Sequence, residues 1–439
     1  MRFRKSQGLT TSEKLLADLC ERSFLRLWTY PNLFKKPGKE LTDLLVVFRD
    51  DVLIFSDKSC AYPNTGDPEL DWRRWFRRAI ADSAHQVKQA ERWIRSRQDQ
   101  VFLDPKCTER LPVNLPDPAR LRVHRICVAT GAAERCLAAT GRSSLAIDVS
   151  ITGDASPFRV GKIKASDSWL HVLDETGLQL LLTQLSTMTD VVAYLEAKVH
   201  LLEGGQFQGA ASEADLVGQY LWHGRSFPPM ARPSFLQPDL WQTVVKHPAF
   251  QAGRQEDSVS AFWDGVIEHL TGHYLGRTLE FGNELDMGEY ERLVRIMASE
   301  SRFHRRILSK AILERAEKAR EAKIGSLLPS DQPDVIYALL IGRGARGGDY
   351  DEYRADRSRE LQLRCLAAKA ARPECRFIVG IALDARGVGG GSEDFVLLDT
   401  AGWTNEQVAR AERIRTELQY FMPGRAIESR IVEDEYPGS

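Results

Sequence analysis

The stretch KELTDLLVVFRDDVLIFSDK, from Lys39 to Lys58, constrains the fold more than any other part of the chain. Residues 41–48 and 52–55 are almost purely apolar and rich in β-branched or aromatic types, and the polar Arg49-Asp50-Asp51 between them suits a tight reversal. Together they read as a β-hairpin. Strands apolar on both faces belong in the middle of a sheet covered by helices on each side. Asp43 lies near the start of the first strand, and the second ends in Ser56-Asp57-Lys58. A carboxylate or amine beside such a hairpin costs free energy unless it is paired, hydrogen-bonded or bound to metal. The search for chemistry starts there.

The flanking segments extend the pattern. Thr11 and Ser12 are placed to cap a helix carrying Leu15, Leu16, Leu19, Phe24, Leu25 and Trp28, which should end before Tyr30-Pro31. After the hairpin, residues 71–96 read as one long helix, and residues 122–129 as a strand. Strand-like pieces follow at 144–151 and 168–173, then a helical pair over 178–202. The fold class expected is α/β. A boundary is expected near Gly204-Gly205, giving an N-terminal α/β domain over 1–205, and a mainly helical region over 206–325. A C-terminal α/β domain is expected over 326–439, with strands at 335–341, 377–383 and 395–398, helices at 353–371 and 405–421, and Thr404 as an N-cap.

Composition narrows the function classes. The 439 residues carry Lys+Arg 60 against Asp+Glu 61, so no global basic field exists and any polyanion partner must meet a local patch. No run approaches the roughly 18 apolar residues needed to span a bilayer, and the first residues lack the apolar core of a secretion signal. The seven cysteines form no Cys-x-x-Cys pair, which favours reduced thiols and a cytoplasmic protein without a structural zinc.

A helix acid, Glu21, precedes the strand Asp43, the strand end Asp57-Lys58, a helix with Gln86, Gln89 and Arg92, and another strand. Over roughly residues 12–130 this order resembles the PD-(D/E)XK, or restriction-endonuclease-like, nuclease superfamily, whose core runs α-β-β-β-α-β. The resemblance implies a nuclease that uses Mg²⁺ or Mn²⁺ to cleave phosphodiester bonds, in DNA rather than RNA, with defence against foreign DNA as one setting. It implies Glu21, Asp43 and Asp57 as metal ligands, Asp43, Asp57 and Lys58 as the catalytic groups, and Gln86, Gln89 and Arg92 as substrate contacts. The chemistry is coherent: a divalent cation neutralises phosphate charge and acidifies water, and an amine stabilises the developing charge. This chain departs from the pattern at the second acid, where Ser56 stands two residues before Lys58. Asp57 should alternate to the opposite face unless a bulge or the strand end re-aims it, and Glu40 is a further carboxylate nearby. The alternative is a nuclease fold without catalysis, serving as a nucleic-acid-binding or scaffold protein. A homodimer or another protein partner is left open.

Trp72-Arg73-Arg74-Trp75-Phe76-Arg77-Arg78 interleaves arginines with aromatics, suited to gripping phosphates and stacking on bases. At helical spacing Arg74, Arg77 and Arg78 share one side, while Trp72, Trp75 and Phe76 turn roughly the other way. Other signals are weaker. His269 and His273 lie one turn apart without a third ligand. Gly387–Ser392 reads as a hairpin tip, and Arg302, Arg305, Arg306 and Lys310 as a solvated helix face.

Overall fold

The hairpin sequence forms the middle of a sheet in the computed structural model, which describes residues 2–320, 322–344, 348–387 and 391–423. The described chain divides into two units. One reaches to Gln255 and includes Glu268–Gly288, and the other comprises Glu256–Ile267 and the chain from Glu289 on.

The first unit opens with α1 (Thr11–Phe24), β1 (Thr29–Lys36), β2 (Lys39–Phe48) and β3 (Asp51–Ser59). Helix α2 (Pro68–Phe76) passes through a π-turn (Arg77–Ala81) directly into α3 (Asp82–Ser96), and β4 (Arg122–Thr130) follows. Next come α4 (Ala133–Thr140), β5 (Ala146–Thr152), β6 (Arg159–Lys162), β7 (His171–Leu173), α5 (Glu175–Gln184) and α6 (Met188–Glu203). The run continues with β8 (Phe207–Ala210), α7 (Glu213–Trp222), β9 (Ser234–Leu236) and α8 (Leu240–Lys246). One sheet has the order β1-β2-β3-β4-β7, and a second β6-β5-β8-β9. The first three strands are antiparallel, whereas β4 runs parallel to β3 and β7 parallel to β4. A parallel neighbour requires a long crossover, and α2–α3 supplies it.

Local chemistry sets these elements. Thr10 caps α1: its hydroxyl accepts the Glu13 N–H at 3.2 Å while Glu13 accepts the Thr10 N–H, a reciprocal capping box. The cap is thus one residue before Thr11 and two before Ser12. The helix also stops earlier than its apolar spacing suggests, because Leu25 takes φ 66, and Thr29–Lys36 becomes a third antiparallel strand. Pro31 is accommodated there because β1 is an edge strand. On one face of the sheet Leu41, Leu45, Val47, Val52 and Ile54 pack with Val87, Ala90 and Ile94 of α3. Each such fully buried aliphatic side chain contributes about 1.5–3 kcal/mol. Helix α1 lies against β1, β2 and β3.

Helices α9 (Pro248–Glu256), α10 (Ala261–Gly276) and α11 (Met287–Ala298) each have residues in both units. The second unit continues with α12 (Arg302–Lys318), β10 (Ile324–Pro329), β11 (Val335–Gly342), α13 (Tyr350–Ala371), β12 (Phe377–Asp384), β13 (Asp394–Asp399) and α14 (Asn405–Glu417). Its sheet has the order β10-β11-β12-β13, with β11 and β12 parallel and joined through α13. Thr404 caps α14 as expected.

Around Gly204–Gly209 the chain stays within the first unit, where β8 pairs with β5. One expectation is corrected. The basic stretch on α12 is no solvated face: Arg302, Arg305 and Arg306 are buried, paired with Asp264 and Asp257. Half of Gly387–Ser392, residues 388–390, lies outside the described residues. Among the described residues no helix is long and apolar enough to cross a membrane.

Candidate functional site

Asp43 is buried on β2, 4% exposed, and faces α3. Its Oδ2 accepts the Asp57 backbone N–H at 2.6 Å and lies 3.3 Å from Ser56 Oγ. Gln86 of α3 donates its amide N–H to Oδ1 at 2.8 Å. The Lys58 ammonium stands 3.6 Å from Oδ2. Ser56 touches Asp43, Ser83 and Gln86 Oε1, and the last is the shortest contact at 3.0 Å. The sequence-predicted Asp43, Lys58 and Gln86 therefore converge, and Ser56 and Ser83 complete the group. Pairing of β2 with β3 puts Leu44 opposite Phe55, so the next pair, Asp43 and Ser56, shares a face.

Asp57 obeys the alternation and turns to the α1 face, where the Ser12 hydroxyl bonds it. It is 8% exposed, and its Oδ1 has no hydrogen-bond partner. Burial pushes its carboxyl up from the ordinary value, the charges of Asp43 and Glu13 push the same way, and Ser12 and Lys58 oppose them. Glu40 is raised for similar reasons: burial first, then the charges of Asp43 and Glu13, against a hydrogen bond from Asn32. Asn32 ties this group together. Its amide nitrogen donates to Glu13 at 2.8 Å and Glu40 at 3.0 Å, and its carbonyl oxygen accepts from Ser6 at 2.8 Å. It is 1% exposed with φ 48, a left-handed conformation that asparagine tolerates better than most residues.

The helix acid needs correction. Glu21 pairs with Lys5 at 2.6 Å, and the α1 acid whose charge acts on Asp57 and Glu40 is Glu13. Glu13 was hidden by its second role in the capping box. Its signal is the Thr10-x-x-Glu13 spacing itself.

On α2 and the π-turn, Arg73, Arg74, Arg77 and Arg78 are exposed, while Trp72, Trp75 and Phe76 are buried against one another and Phe158. The arginines are free to meet phosphates; the aromatics are not free to stack on bases. Gln89 and Arg92 are also exposed, Gln89 bonded to His85, so neither joins Gln86 at Asp43. The helix is anchored beside the site: Trp75 Nε1 donates to Cys60 O at 3.2 Å and Arg78 to Ala61 O at 3.1 Å, just past Lys58.

Among the described residues, two groups of acidic and histidine side chains bring three ligand atoms close enough to hold a metal ion, Asp51–His124–Glu196 and Glu300–His304–Asp331, and Asp43 belongs to neither. In the first, burial alone would raise Asp51, but hydrogen bonds from His124 and Arg122 outweigh it and hold the carboxyl below its ordinary value. The Arg122 guanidinium sits 2.5 Å from Asp51 and 3.6 Å from Glu196, supplying the cation itself. In the second, His304 contacts Pro329 O at 2.8 Å through Nε2 and Asp331 at 3.1 Å through Nδ1, so both ring nitrogens face acceptors. His269 and His273 meet edge to face with ring centroids 4.5 Å apart, and His273 bonds Thr278. In the second unit, buried Arg357 bridges Asp384 at 2.5 Å and Asp394 at 2.8 Å, with Tyr350 and Tyr353 also donating to Asp384.

No protein-family model, curated protein or solved structure matches this chain.

Proposed function

We propose that this chain is a divalent-metal-dependent nuclease acting on DNA, with its site around Asp43, Lys58 and Asp57. The observation that carries the reading is the convergence of Asp43, Lys58 and Gln86 on adjacent strands and the crossover helix. The element order, one helix, three antiparallel strands, a crossover helix and a parallel strand, is the order the PD-(D/E)XK resemblance implies.

The side chains suit a hard cation. The donors are all oxygens, the class that Mg²⁺ and Mn²⁺ prefer. Asp57 Oδ1 is a buried carboxylate oxygen without a donor, beside the charges of Asp43 and Glu13. Such an oxygen is costly unless a proton or cation meets it. Asp43, beside Lys58 on the α3 face, would hold the ion, with Asp57, Glu13 and Glu40 adding negative charge from the α1 face, in place of the acid absent at Ser56. When bound, the ion would lower the pKa of an attacking water and neutralise phosphate charge. Gln86 and the Asp57 amide fix the Asp43 carboxylate. Lys58, one-third exposed, presents its ammonium to the charge that grows on the phosphate oxygens.

A second reading rests on a specific observation: the lysine's face holds one carboxylate, and that carboxylate is already hydrogen-bonded at both oxygens. In this reading the fold binds nucleic acid without cutting. One assay separates the two. Plasmid, linear duplex, single-stranded DNA and RNA are incubated with Mg²⁺ or Mn²⁺ and wild type, Asp43→Ala or Lys58→Ala. The nuclease reading expects metal-dependent cleavage, reduced by about 10²-fold or more in each variant. Wild type that binds DNA but leaves every substrate intact supports the second reading.

A further inference from the structure

The exposed side of α2, the π-turn and α3 carries Arg73, Arg74, Arg77, Arg78 and Arg92, and none of these has an acidic partner among the described residues. Elsewhere Arg120, Arg122, Arg125, Arg159 and Arg364 pair with carboxylates, and what sets this face apart is that five arginines without such a partner lie along one continuous helix. The chain as a whole has a net charge of -1. Unneutralised arginines gathered on one face of one helix therefore form a local field, the kind that attracts a polyanion. Asp82 is the exposed acid within the row.

We infer that this face is a rail for the backbone of duplex DNA, held by phosphate contacts alone. The inference deepens the nuclease proposal and rests on its nucleic-acid reading. From Arg73 to Arg92 the helix rises about 28 Å at 1.5 Å per residue, roughly eight base pairs at 3.4 Å each. Proteins that hold single strands combine a basic groove with aromatic faces on which bases stack. This helix withholds those faces. Trp72, Trp75 and Phe76 are 1%, 0% and 5% exposed, and Trp93 is partly buried with Lys36 and Arg97 over its ring. What remains for a partner is guanidinium groups, which position a duplex by its phosphates without reading sequence. The same helix turns Gln86 inward to Asp43, so a duplex on its outer side is tethered to the element that also builds the candidate site.

The test is equilibrium binding of the full chain in EDTA, which prevents metal-dependent cleavage. The probes are a fluorescent duplex of about 20 base pairs, the same sequence as a single strand, and a duplex RNA. Each is titrated across a range of salt. Wild type, an Arg74→Ala/Arg77→Ala double variant and an Arg359→Ala control in the other unit are compared. The rail predicts tighter binding of duplex DNA than of the single strand. It also predicts a log–log salt slope about 2 units shallower in the double variant, since each lost phosphate contact removes roughly 0.9. The control should match wild type. Equal or tighter binding of the single strand overturns the duplex inference and leaves the nucleic-acid reading standing, as does preference for duplex RNA. Duplex binding that the double variant does not weaken overturns the rail alone. Wild type that binds no probe overturns the rail and the nucleic-acid reading together.

Discussion

Lys58 Nζ lies 3.6 Å from Asp43 Oδ2 across two neighbouring strands, and the residue between them in the motif, Ser56, supplies a hydroxyl in place of a carboxylate. Ser56→Asp would put a second acid opposite Asp43 on the lysine's face. We expect it to destabilise the metal-free protein by about 3 kcal/mol, the scale for an uncompensated buried charge, and to tighten Mn²⁺ binding at least tenfold. Titration calorimetry beside urea denaturation reads both. Unchanged Mn²⁺ affinity would remove Asp43 from the list of ligands.

Asp57 is held against its own preference. Asp57→Asn should stabilise the metal-free protein by about 1–2 kcal/mol, because it removes a buried acceptor without a donor, while weakening metal binding. The pH dependence follows from the raised pKa of the folded state. The folded state binds this proton more tightly than the unfolded one, so the contribution to stability is fully present below the unfolded pKa and is lost as pH rises through the folded one. Wild type in chelator should therefore weaken as pH rises from the ordinary Asp range, and Asp57→Asn should flatten that slope in a series of urea titrations.

Asn32 bridges Glu13 and Glu40 from a left-handed backbone. Asn32→Gly keeps the backbone free to take φ 48, whereas Asn32→Ala strains it, so Ala should cost about 1 kcal/mol more than Gly. Both variants should weaken Mn²⁺ binding alike, because both release the two acids. A loss of affinity in the alanine variant alone would assign the effect to strain.

Two features of the second unit lend themselves to stability measurements. Arg357 is 3% exposed and shared by Asp384 and Asp394. Arg357→Ala leaves Asp384 without its cation and Asp394 with Arg354 alone at 3.4 Å, and should cost about 3 kcal/mol by chemical denaturation.

His304 adds a pH signature. Burial alone would lower its pKa, but the hydrogen bond it donates to Asp331 and the charge of Glu300 raise it above 6.5, while Asp331 is held below 3.8. The histidine's contribution is fully present below its unfolded pKa and is lost as pH rises through the folded one. The aspartate's is present above its unfolded pKa and lost as pH falls through its folded value. The pair is thus complete between those two unfolded values. His304→Gln should cost about 1–2 kcal/mol near pH 5.5 and clearly less near pH 8.5. Equal losses at both would show that the imidazole is neutral.

Sequence carried the elements whose signal is local. The apolar runs of β2 and β3, the long crossover helix and Thr404 are visible because periodicity and capping depend on near neighbours. So is the division of Arg74, Arg77 and Arg78 from Trp72, Trp75 and Phe76. Strand β1 was not visible: Tyr30-Pro31 looks like a breaker until the strand is known to sit at an edge. The burial of Arg302, Arg305 and Arg306 was equally hidden, because their partners Asp264 and Asp257 lie tens of residues away. The choice between Glu13 and Glu21 turned on Asn32, whose left-handed backbone carries no periodic signal.

The π-turn at Arg77–Ala81 has a consequence for the phase of the whole crossover. Trp75, Ala79, Ser83 and Val87 are each 0% exposed and follow one another at four-residue steps. In a plain α-helix four residues overshoot one turn by about 40°, so three such steps would carry Val87 about 120° around the axis from Trp75. The wide turn absorbs part of that overshoot. One inserted residue thereby acts as a clutch, letting a single helix bury its tryptophans at one end and present Gln86 to Asp43 at the other.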